Sequence, residues 1–223
     1  MNSPAGFIDH TLLKPDATES QFAVLCEEAV EHDFASVCVP PLFVPFVANQ
    51  LYGSSVKVCT VVGFPCGYNS LRQKVAETAE LVAAGADEID MVISLGNLLA
   101  GHSSLVEEEI AQVVLAAEQN PVKVIIECCY LCPDLIRNAT QLVVSAGAAY
   151  VKTSTGFGPS GAKVEDVALM SEVANGRVGV KAAGGIRDLK VLQQMTAAGA
   201  TRIGTSSGVA IMQEWQKQTY GAR

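Results

Sequence analysis

The chain has 223 residues, of which 49% are hydrophobic, and a formal net charge of -8 at pH 7. This length and apolar fraction suffice for a large core, in one large domain or two small ones. A strongly acidic chain without a basic tract argues against nucleic acid and anionic membranes as partners. An anionic ligand would need a local site that works against the overall charge.

The N-terminal stretch MNSPAGFIDH has neither the basic nor the apolar region of a signal peptide, and every long apolar run is interrupted by charge, Gly or Pro. Seven cysteines, mostly within apolar runs, indicate reduced thiols and a cytoplasmic location. Cys129 and Cys132 have CxxC spacing, but a zinc site needs two further ligands, and the sequence has no second CxxC or paired His. We therefore expect no metal and no cofactor.

Eight short runs rich in Val and Ile read as strands, and segments with helical periodicity separate most of them. In chain order the runs are GFIDHTLL, ASVCVPP, VKVCTVVGF, DEIDMVIS, VKVIIECC, AYVKTST, VGVKAAGG and TRIGTSSG. Alternation of strand and helix favours parallel pairing, and eight such units in this length predict an α/β fold, a (β/α)8 TIM barrel formed by residues 1–223 as a single domain. An open doubly wound sheet is the alternative, although no GxGxxG turn follows the first strand.

The helical segments carry two local signals. SLRQKVAETAELVAAGA is predicted to place Val75, Ala79, Val82 and Ala83 on one apolar face. Several helices end in AAGA or SAGA, where a Gly just past the last turn is typical of a helix C-terminus.

Ionisable residues lie near the C-terminal ends of three predicted strands. Lys152 and Lys181 occupy the sixth and seventh strands, and Asp90 lies among apolar residues of the fourth. A structural ion network would explain them, but two lysines and one aspartate do not neutralise evenly. Burial and like-charge repulsion would push one lysine towards the neutral amine, which is a nucleophile for carbonyl compounds. The pattern therefore favours covalent catalysis over a salt bridge.

Glycine-rich turns follow the sixth, seventh and eighth strands. Loops after strands seven and eight of such barrels commonly bind phosphate through backbone N–H groups and a helix N-terminus. The predicted phosphate site comprises Gly156, Gly184, Gly185, Gly204, Ser206 and Ser207, with Arg187 and Lys163 as nearby positive charges.

Other polar residues are less decisive. Asp9 and Thr11 end the first strand, where they would bind a substrate hydroxyl or close the barrel. Glu127 would pair with a catalytic lysine or satisfy a loop. The run Glu107, Glu108 and Glu109 is predicted to be a solvated helix face.

The motifs IDHTLLKPDAT, DEIDMVIS, VKTSTGFGPSGA, VKAAGGIR and GATRIGTSSG occur in the order that resembles the 2-deoxy-D-ribose 5-phosphate aldolase family, nearly end to end. The resemblance implies a class I aldolase without a cofactor that reversibly cleaves 2-deoxyribose 5-phosphate to acetaldehyde and glyceraldehyde 3-phosphate, in deoxyribonucleoside breakdown. It implies small phosphosugar and aldehyde substrates and a homo-oligomer, dimer or tetramer.

By this resemblance Lys152 is the Schiff-base lysine, Lys181 holds down its pKa, and Asp90 relays protons through water. Gly156, Gly184, Gly185, Arg187, Gly204, Ser206 and Ser207 match the phosphate cradle, and Asp9, Thr11 and Thr155 match contacts to substrate hydroxyls or water. Ser94 and Lys163 depart from the family pattern, where Asn and Thr are expected. Tyr220 matches a C-terminal tyrosine that sometimes reaches back into the site.

Two alternatives remain open at the level of sequence. An isomerase or epimerase on the same barrel would use Asp90 or Glu127 as a general base and form no covalent adduct. A non-catalytic phosphosugar-binding protein would bind phosphate without turnover.

Overall fold

A computed structural model describes residues 3–221, and the eight strands in this range form one closed parallel barrel. The strand order follows the chain, and β1 pairs with both β2 and β8, so the open-sheet alternative is wrong and the (β/α)8 prediction is confirmed. The strands are β1 Ile8–Thr11, β2 Ser36–Val39, β3 Lys57–Val62, β4 Glu88–Val92, β5 Val122–Ile125, β6 Tyr150–Lys152, β7 Gly179–Ala183 and β8 Arg202–Thr205.

Helices surround the barrel, and the segment SLRQKVAETAELVAAGA, predicted to be helical, contains one of them. The α-helices are α1 Glu19–His32, α2 Val44–Gln50, α3 Leu71–Ala83, α4 Leu95–Leu99, α5 Ser103–Ala116, α6 Pro133–Ser145, α7 Val164–Ala174, α8 Leu189–Ala197 and α9 Gly208–Tyr220. Short 3-10 turns cover Ala5–Phe7, Pro41–Phe43 and Cys128–Tyr130. Among the described residues, no helix combines the length and hydropathy that crossing a bilayer requires.

The predicted glycines end helices in the expected way. Gly85, Gly147 and Gly199 have φ of 105°, 78° and 110°, a conformation that side-chain-bearing residues rarely adopt. After α3, the N–H of Ala86 donates to the carbonyl of Leu81 at 3.0 Å, which closes the last turn and starts the path into β4.

Alternation along the strands separates an apolar layer from a charged interior. In β4, Ile89 and Met91 are fully buried in the main core beneath the helices, whereas Glu88 and Asp90 point into the barrel. A small apolar cluster of Cys38, Cys59 and Val61 also lies inside the barrel. The strands therefore place charges and thiols where most barrels pack aliphatic side chains.

Two predictions about surface helices are wrong in part. In α3, Val75 and Val82 pack against the core as predicted, but Ala79 and Ala83 are exposed. The fully buried residues of this helix are Lys74, Thr78 and Leu81. Glu109 of α5, predicted to be solvated, is only 5% exposed. Both errors have one cause.

The cause is an ion pair between α3 and α5. The ammonium of Lys74 donates to Glu109 at 2.7 Å and to the carbonyls of Gly67 and Val92 at 2.7 Å each. Because every proton of this ammonium has an acceptor, the lysine can be buried without a free charge.

Candidate active site

A cavity of about 290 Å³ opens at the C-terminal end of the barrel, the end at which such barrels carry their active sites. Its walls come from the ends of β1, β6, β7 and β8 and from the loops that follow them. The lining residues are Thr11, Leu12, Leu13, Lys14, Lys152, Thr155, Gly156, Phe157, Ala183, Gly184, Gly185, Ile186, Arg187, Gly204, Thr205 and Ser206.

Lys152 lies at the floor of this cavity. It ends β6 directly opposite Lys181 of β7, and its side chain is 4% exposed. The Oδ2 atom of Asp90 accepts hydrogen bonds from the Nζ atoms of both lysines, each at 2.6 Å. The structure therefore brings together the three residues that the sequence singled out, but Lys152 alone of the three lines the cavity.

The pair of Asp90 and Lys181 belongs to a closed ring of alternating charges, which we call the charge ring. In order, its members are Asp90, Lys181, Asp9, Arg202, Glu88 and Lys123, and Lys123 contacts Asp90 again. In the same order, the distances between the contacting side-chain atoms of successive members are 2.6, 2.5, 2.8, 2.7, 2.7 and 2.8 Å.

The ring fixes the protonation of its own members. Burial alone would raise the pKa of Asp90, but Lys123, Lys152 and Lys181 outweigh it and hold the pKa well below the usual range. Burial alone would lower the pKa of Lys181, but Asp9 and Asp90 outweigh it and raise the pKa. Asp90 is thus a carboxylate and Lys181 an ammonium at neutral pH.

Asp9 lies in β1 and belongs to the charge ring. Its side chain is fully buried, binds Lys181 and Arg202, and is not part of the cavity wall. In this conformation the side chain of Asp9 contacts the charged groups beneath the cavity and does not contact the cavity itself. Thr11 does line the cavity, and its hydroxyl donates to the carbonyl of Asp9 at 2.9 Å.

The predicted phosphate loops meet at one side of the cavity. Gly156, Gly184 and Gly185 have φ of 88°, 87° and 80°, and a Cβ on Gly156 or Gly185 would meet no atom within 4 Å. The backbone there is therefore open to a ligand. Besides Lys152, the basic residues of the wall are Lys14 and Arg187, and no acidic side chain lines the cavity within residues 3–221.

Ser206 and Ser207 have different environments. Ser206 lines the cavity, whereas Ser207 is the N-cap residue of α9 and lies outside the wall. The N–H of Ser207 donates to the hydroxyl of Thr205 at 2.9 Å. A phosphate in the cavity would approach Ser206 first, and Ser207 would contribute through the helix terminus.

Glu127 holds the loop after β6. Its carboxylate accepts bonds from the hydroxyl and the N–H of Thr155, and that hydroxyl also accepts from the N–H of Phe157 at 3.0 Å. Glu127 is 3% exposed and does not contact Lys152 in the described hydrogen bonds and ion pairs. Glu127 therefore accepts hydrogen bonds from the loop after β6, which is the second of the two roles predicted for it.

Ser94 and Lys163, the two departures from the family pattern, lie away from the cavity wall. The N–H of Ser94 donates to Glu109 at 2.9 Å, and Lys163 is the N-cap residue of α7. Tyr220 is 62% exposed and packs edge-on against Trp215, with ring centroids 6.0 Å apart. In this conformation it does not reach the cavity.

The thiols nearest to the site are Cys38 and Cys59. With Asp90 they place ligand-type atoms within 4.8 Å of one another, a spacing that could hold a metal ion. The ammonium of Lys123, however, already donates to both Cys59 at 3.2 Å and Asp90 at 2.8 Å. This positive charge disfavours a metal cation at the same atoms. Cys38 is 1% exposed, so it is sheltered from solvent.

Sequence reasoning missed Glu88, Lys123, Arg202 and Lys14 as members of the site. The first three carried the same signal as Lys152, a charge within a short apolar strand. Glu88 and Asp90 are two positions apart and so share the inward face of β4. Lys14 carried no such signal, because an exposed loop lysine is common.

Comparisons with known proteins agree with the fold and the motifs. The model of the DeoC/LacD family aldolases matches residues 5–214. A protein of Syntrophotalea carbinolica named deoxyribose-phosphate aldolase is 53% identical over 217 residues, which cover 97% of this chain and 98% of the relative.

Two solved structures extend this agreement. An aldolase named QR15 has a TM-score of 0.95 at 38% identity and covers 100% of both chains. A tetrameric deoxyribose phosphate aldolase from Aeropyrum pernix has a TM-score of 0.89 at 32% identity and covers 96% of this chain and 92% of that one. The resemblance seen in the motifs is confirmed, and the chain belongs to the DeoC/LacD family of aldolases.

Proposed function

We propose that this chain is a class I deoxyribose-phosphate aldolase, which reversibly cleaves 2-deoxy-D-ribose 5-phosphate to acetaldehyde and D-glyceraldehyde 3-phosphate. The observation that carries the proposal is Lys152, a nearly buried amine at the floor of a cavity whose rim is rich in glycine N–H groups and basic side chains. The names of the relatives, at about half identity over nearly the full chain, support the same reaction.

Lys152 would act as the nucleophile. Its amine attacks the aldehyde carbon of the open-chain sugar, and loss of water from the carbinolamine gives a protonated imine. Removal of the C3 hydroxyl proton then breaks the C2–C3 bond, and its electron pair moves into the imine to form an enamine. Glyceraldehyde 3-phosphate leaves. Protonation of the enamine carbon and hydrolysis of the imine release acetaldehyde and restore the amine.

Asp90 and Lys181 would manage the protons of these steps. Asp90 already accepts a hydrogen bond from Lys152, so its carboxylate can exchange protons with the carbinolamine, directly or through water. Lys181 stays an ammonium and donates a hydrogen bond to the same oxygen of Asp90. It disfavours a second positive charge on Lys152 and so promotes the neutral amine.

The glycine loops would bind the phosphate. Backbone N–H groups around Gly184 and Gly185, the hydroxyl of Ser206 and the guanidinium of Arg187 suit a dianion, with Gly156, Gly204 and Ser207 completing the cradle. Thr11 and Thr155 would contact substrate hydroxyls or water. Binding energy from the phosphate, remote from the reacting carbons, can then position the aldehyde at Lys152.

We further propose a small-molecule phosphosugar as the substrate, with neither nucleic acid nor membrane as a partner, and a cytoplasmic homo-oligomer. The net charge of -8 supports the first part, because it repels polyanions. The tetrameric structure of the Aeropyrum pernix protein, 32% identical to this chain, supports the proposal of a homo-oligomer. Size-exclusion chromatography with light scattering measures the state directly.

The test is borohydride trapping with 2-deoxyribose 5-phosphate, followed by peptide mass mapping. We expect a reduced adduct on Lys152, and the Lys152→Leu variant should lose both the adduct and turnover, by at least about a thousand-fold. Lys190→Leu, at an exposed lysine of α8, is the matched control and should keep wild-type activity. Conversion without any adduct would instead support an isomerase or epimerase, and binding without conversion a binding protein.

A further inference from the structure

The charge ring is electrically neutral, and Lys152 is bound to it from outside. Three carboxylates alternate with three basic groups around the ring, and every member is at most 9% exposed. Lys152 adds a fourth basic group, and Asp90, its one ion-pair partner among residues 3–221, is already shared with Lys181 and Lys123. When the ring is fully charged, a proton on Lys152 is therefore the unbalanced charge of the whole cluster.

Two members of the ring are remote from the chemistry. Glu88 and Arg202 begin β4 and β8, at the end of the barrel opposite the cavity, and neither lines the cavity. Asp90 lies two residues further along β4 than Glu88, a rise of about 7 Å. Arg202 is connected to Lys152 through other ring members on both sides, through Asp9, Lys181 and Asp90 on one side and through Glu88, Lys123 and Asp90 on the other.

Within a buried cluster, a charge at one end of the barrel affects the protonation of an amine at the other end. A single charge about 10 Å away changes the preference of an amine for its proton by an amount equal to about one pH unit at an effective dielectric constant of about 20. Water cannot screen the interaction inside the barrel, because the side chains between the two ends are buried.

We propose that Arg202 and Glu88 are positioning residues that set, through the neutrality of the charge ring, the pH at which Lys152 becomes a nucleophile. This inference rests on the proposed function, since it concerns the amine that would form the imine. Arg202 disfavours a proton on Lys152, and Glu88 favours it. Because the two effects are opposite in sign and similar in size, together they leave the preference of Lys152 for its proton nearly unchanged.

The test leaves the other titratable side chains around Lys152 unsubstituted. Below the cavity these are Asp90, Lys181, Asp9 and Lys123, and the thiols of Cys38 and Cys59 beside Asp90. Tyr150 of the same strand lies under the guanidinium of Arg202, 5.8 Å from its ring centroid. At the mouth, Glu127 is bound to Thr155, and Lys14 and Arg187 line the wall.

The probe is acetaldehyde, which carries no titratable group. The protein is exposed briefly to acetaldehyde at each pH and quenched in borohydride at one fixed pH, and the adduct on Lys152 is quantified. We expect Arg202→Met to move the midpoint of adduct formation up by about one pH unit, and Glu88→Gln to move it down by about the same amount. Arg137→Met, which removes an exposed ion pair with Glu172, is the control and should leave the midpoint unchanged.

The double variant Arg202→Met/Glu88→Gln separates charge from structure. It removes one charge of each sign, so its midpoint should return to the wild-type value even though both side chains are lost. Shifts in the same direction, no shift, or a double variant that keeps the shift of either single variant would overturn the proposal. If Arg202→Met does not fold, the near-isosteric Glu88→Gln still decides through the direction of its shift. Failure of the proposed function is a different result, because wild-type protein would then form no adduct on Lys152 at any pH.

Discussion

Lys152 has fewer contacts with carboxylates than Lys123 and Lys181, the other lysines of the charge cluster. Lys181 contacts carboxylates of Asp9 at 2.5 Å and Asp90 at 2.6 Å, and Lys123 lies within 3.8 Å of three carboxylates. Lys152 has one carboxylate contact and borders the cavity. Removal of its proton therefore breaks the fewest ionic contacts, which suits a nucleophile that must be neutral to react.

Arg187 offers a test of the phosphate site at the scale of one residue. It is an exposed side chain at the cavity wall, so Arg187→Met should leave folding intact. Loss of a charge-assisted hydrogen bond of about 1.5–3 kcal/mol should raise KM for 2-deoxyribose 5-phosphate by about 10- to 100-fold. Steady-state kinetics with unphosphorylated 2-deoxyribose is the matched measurement. An equal loss with both substrates would place Arg187 outside the phosphate site.

The sequence could identify Lys152, Lys181 and Asp90, because a charge within an apolar strand is costly unless it has a role or a partner. It could not identify which partners they have. Asp9 binds Arg202 from 193 positions away, and this contact depends on barrel closure between β1 and β8. For that reason the sequence could not show that Asp9, predicted to bind substrate or to cap the barrel, lies in the charge ring.

At the scale of elements, strands were easier to predict than helix faces. Each strand run in the sequence contains a strand of the barrel, because β-branched residues between turn signals have few alternatives. The buried face of α3 was wrong in part, because Lys74 occupies a core position that hydrophobic periodicity treats as surface. Glu77 adds to this helix's contacts, since it accepts a hydrogen bond from the N–H of Gly63 at 2.9 Å.

These contacts attach the loop between β3 and α3 to the end of β4. The variant Lys74→Met should therefore lower the free energy of unfolding by about 3–5 kcal/mol, since it leaves Glu109 buried without its partner. Urea denaturation measures this loss. Arg137→Met is the comparison, because its ion pair with Glu172 is exposed and should contribute no more than about 1 kcal/mol. Similar small losses in the two variants would contradict the role assigned to Lys74.

At the scale of the whole molecule, the charge ring makes stability depend on pH. Burial alone would raise the pKa of Asp9, but the positive charges of Lys181, Lys123 and Arg202 outweigh burial and lower the pKa. The pKa of Asp90 is lowered in the same way by its basic neighbours. Carboxyl groups with lowered pKa values contribute stability that is complete above their unfolded pKa, about 4, and is lost as pH falls. Lys123 and Lys181, whose pKa values are raised by these carboxylates despite burial, contribute stability that is complete below about pH 10 and is lost above it.

We therefore expect the free energy of unfolding in urea to be nearly constant between about pH 5 and pH 9 and to fall on both sides. The exposed Asp16→Asn variant should follow the wild-type curve. A free energy that stays constant from pH 7 to pH 3 would show that the ring does not contribute to stability as inferred.

Closure of the barrel between β1 and β8 also has a consequence for synthesis on the ribosome. Asp9 emerges early, but its partners Lys181 and Arg202 emerge 172 and 193 residues later. At about 5–20 residues per second, the nascent chain waits about ten seconds or more for the last strand. During this time the edge of β1 that pairs with β8 has no partner strand, and Asp9 lacks two of its basic neighbours.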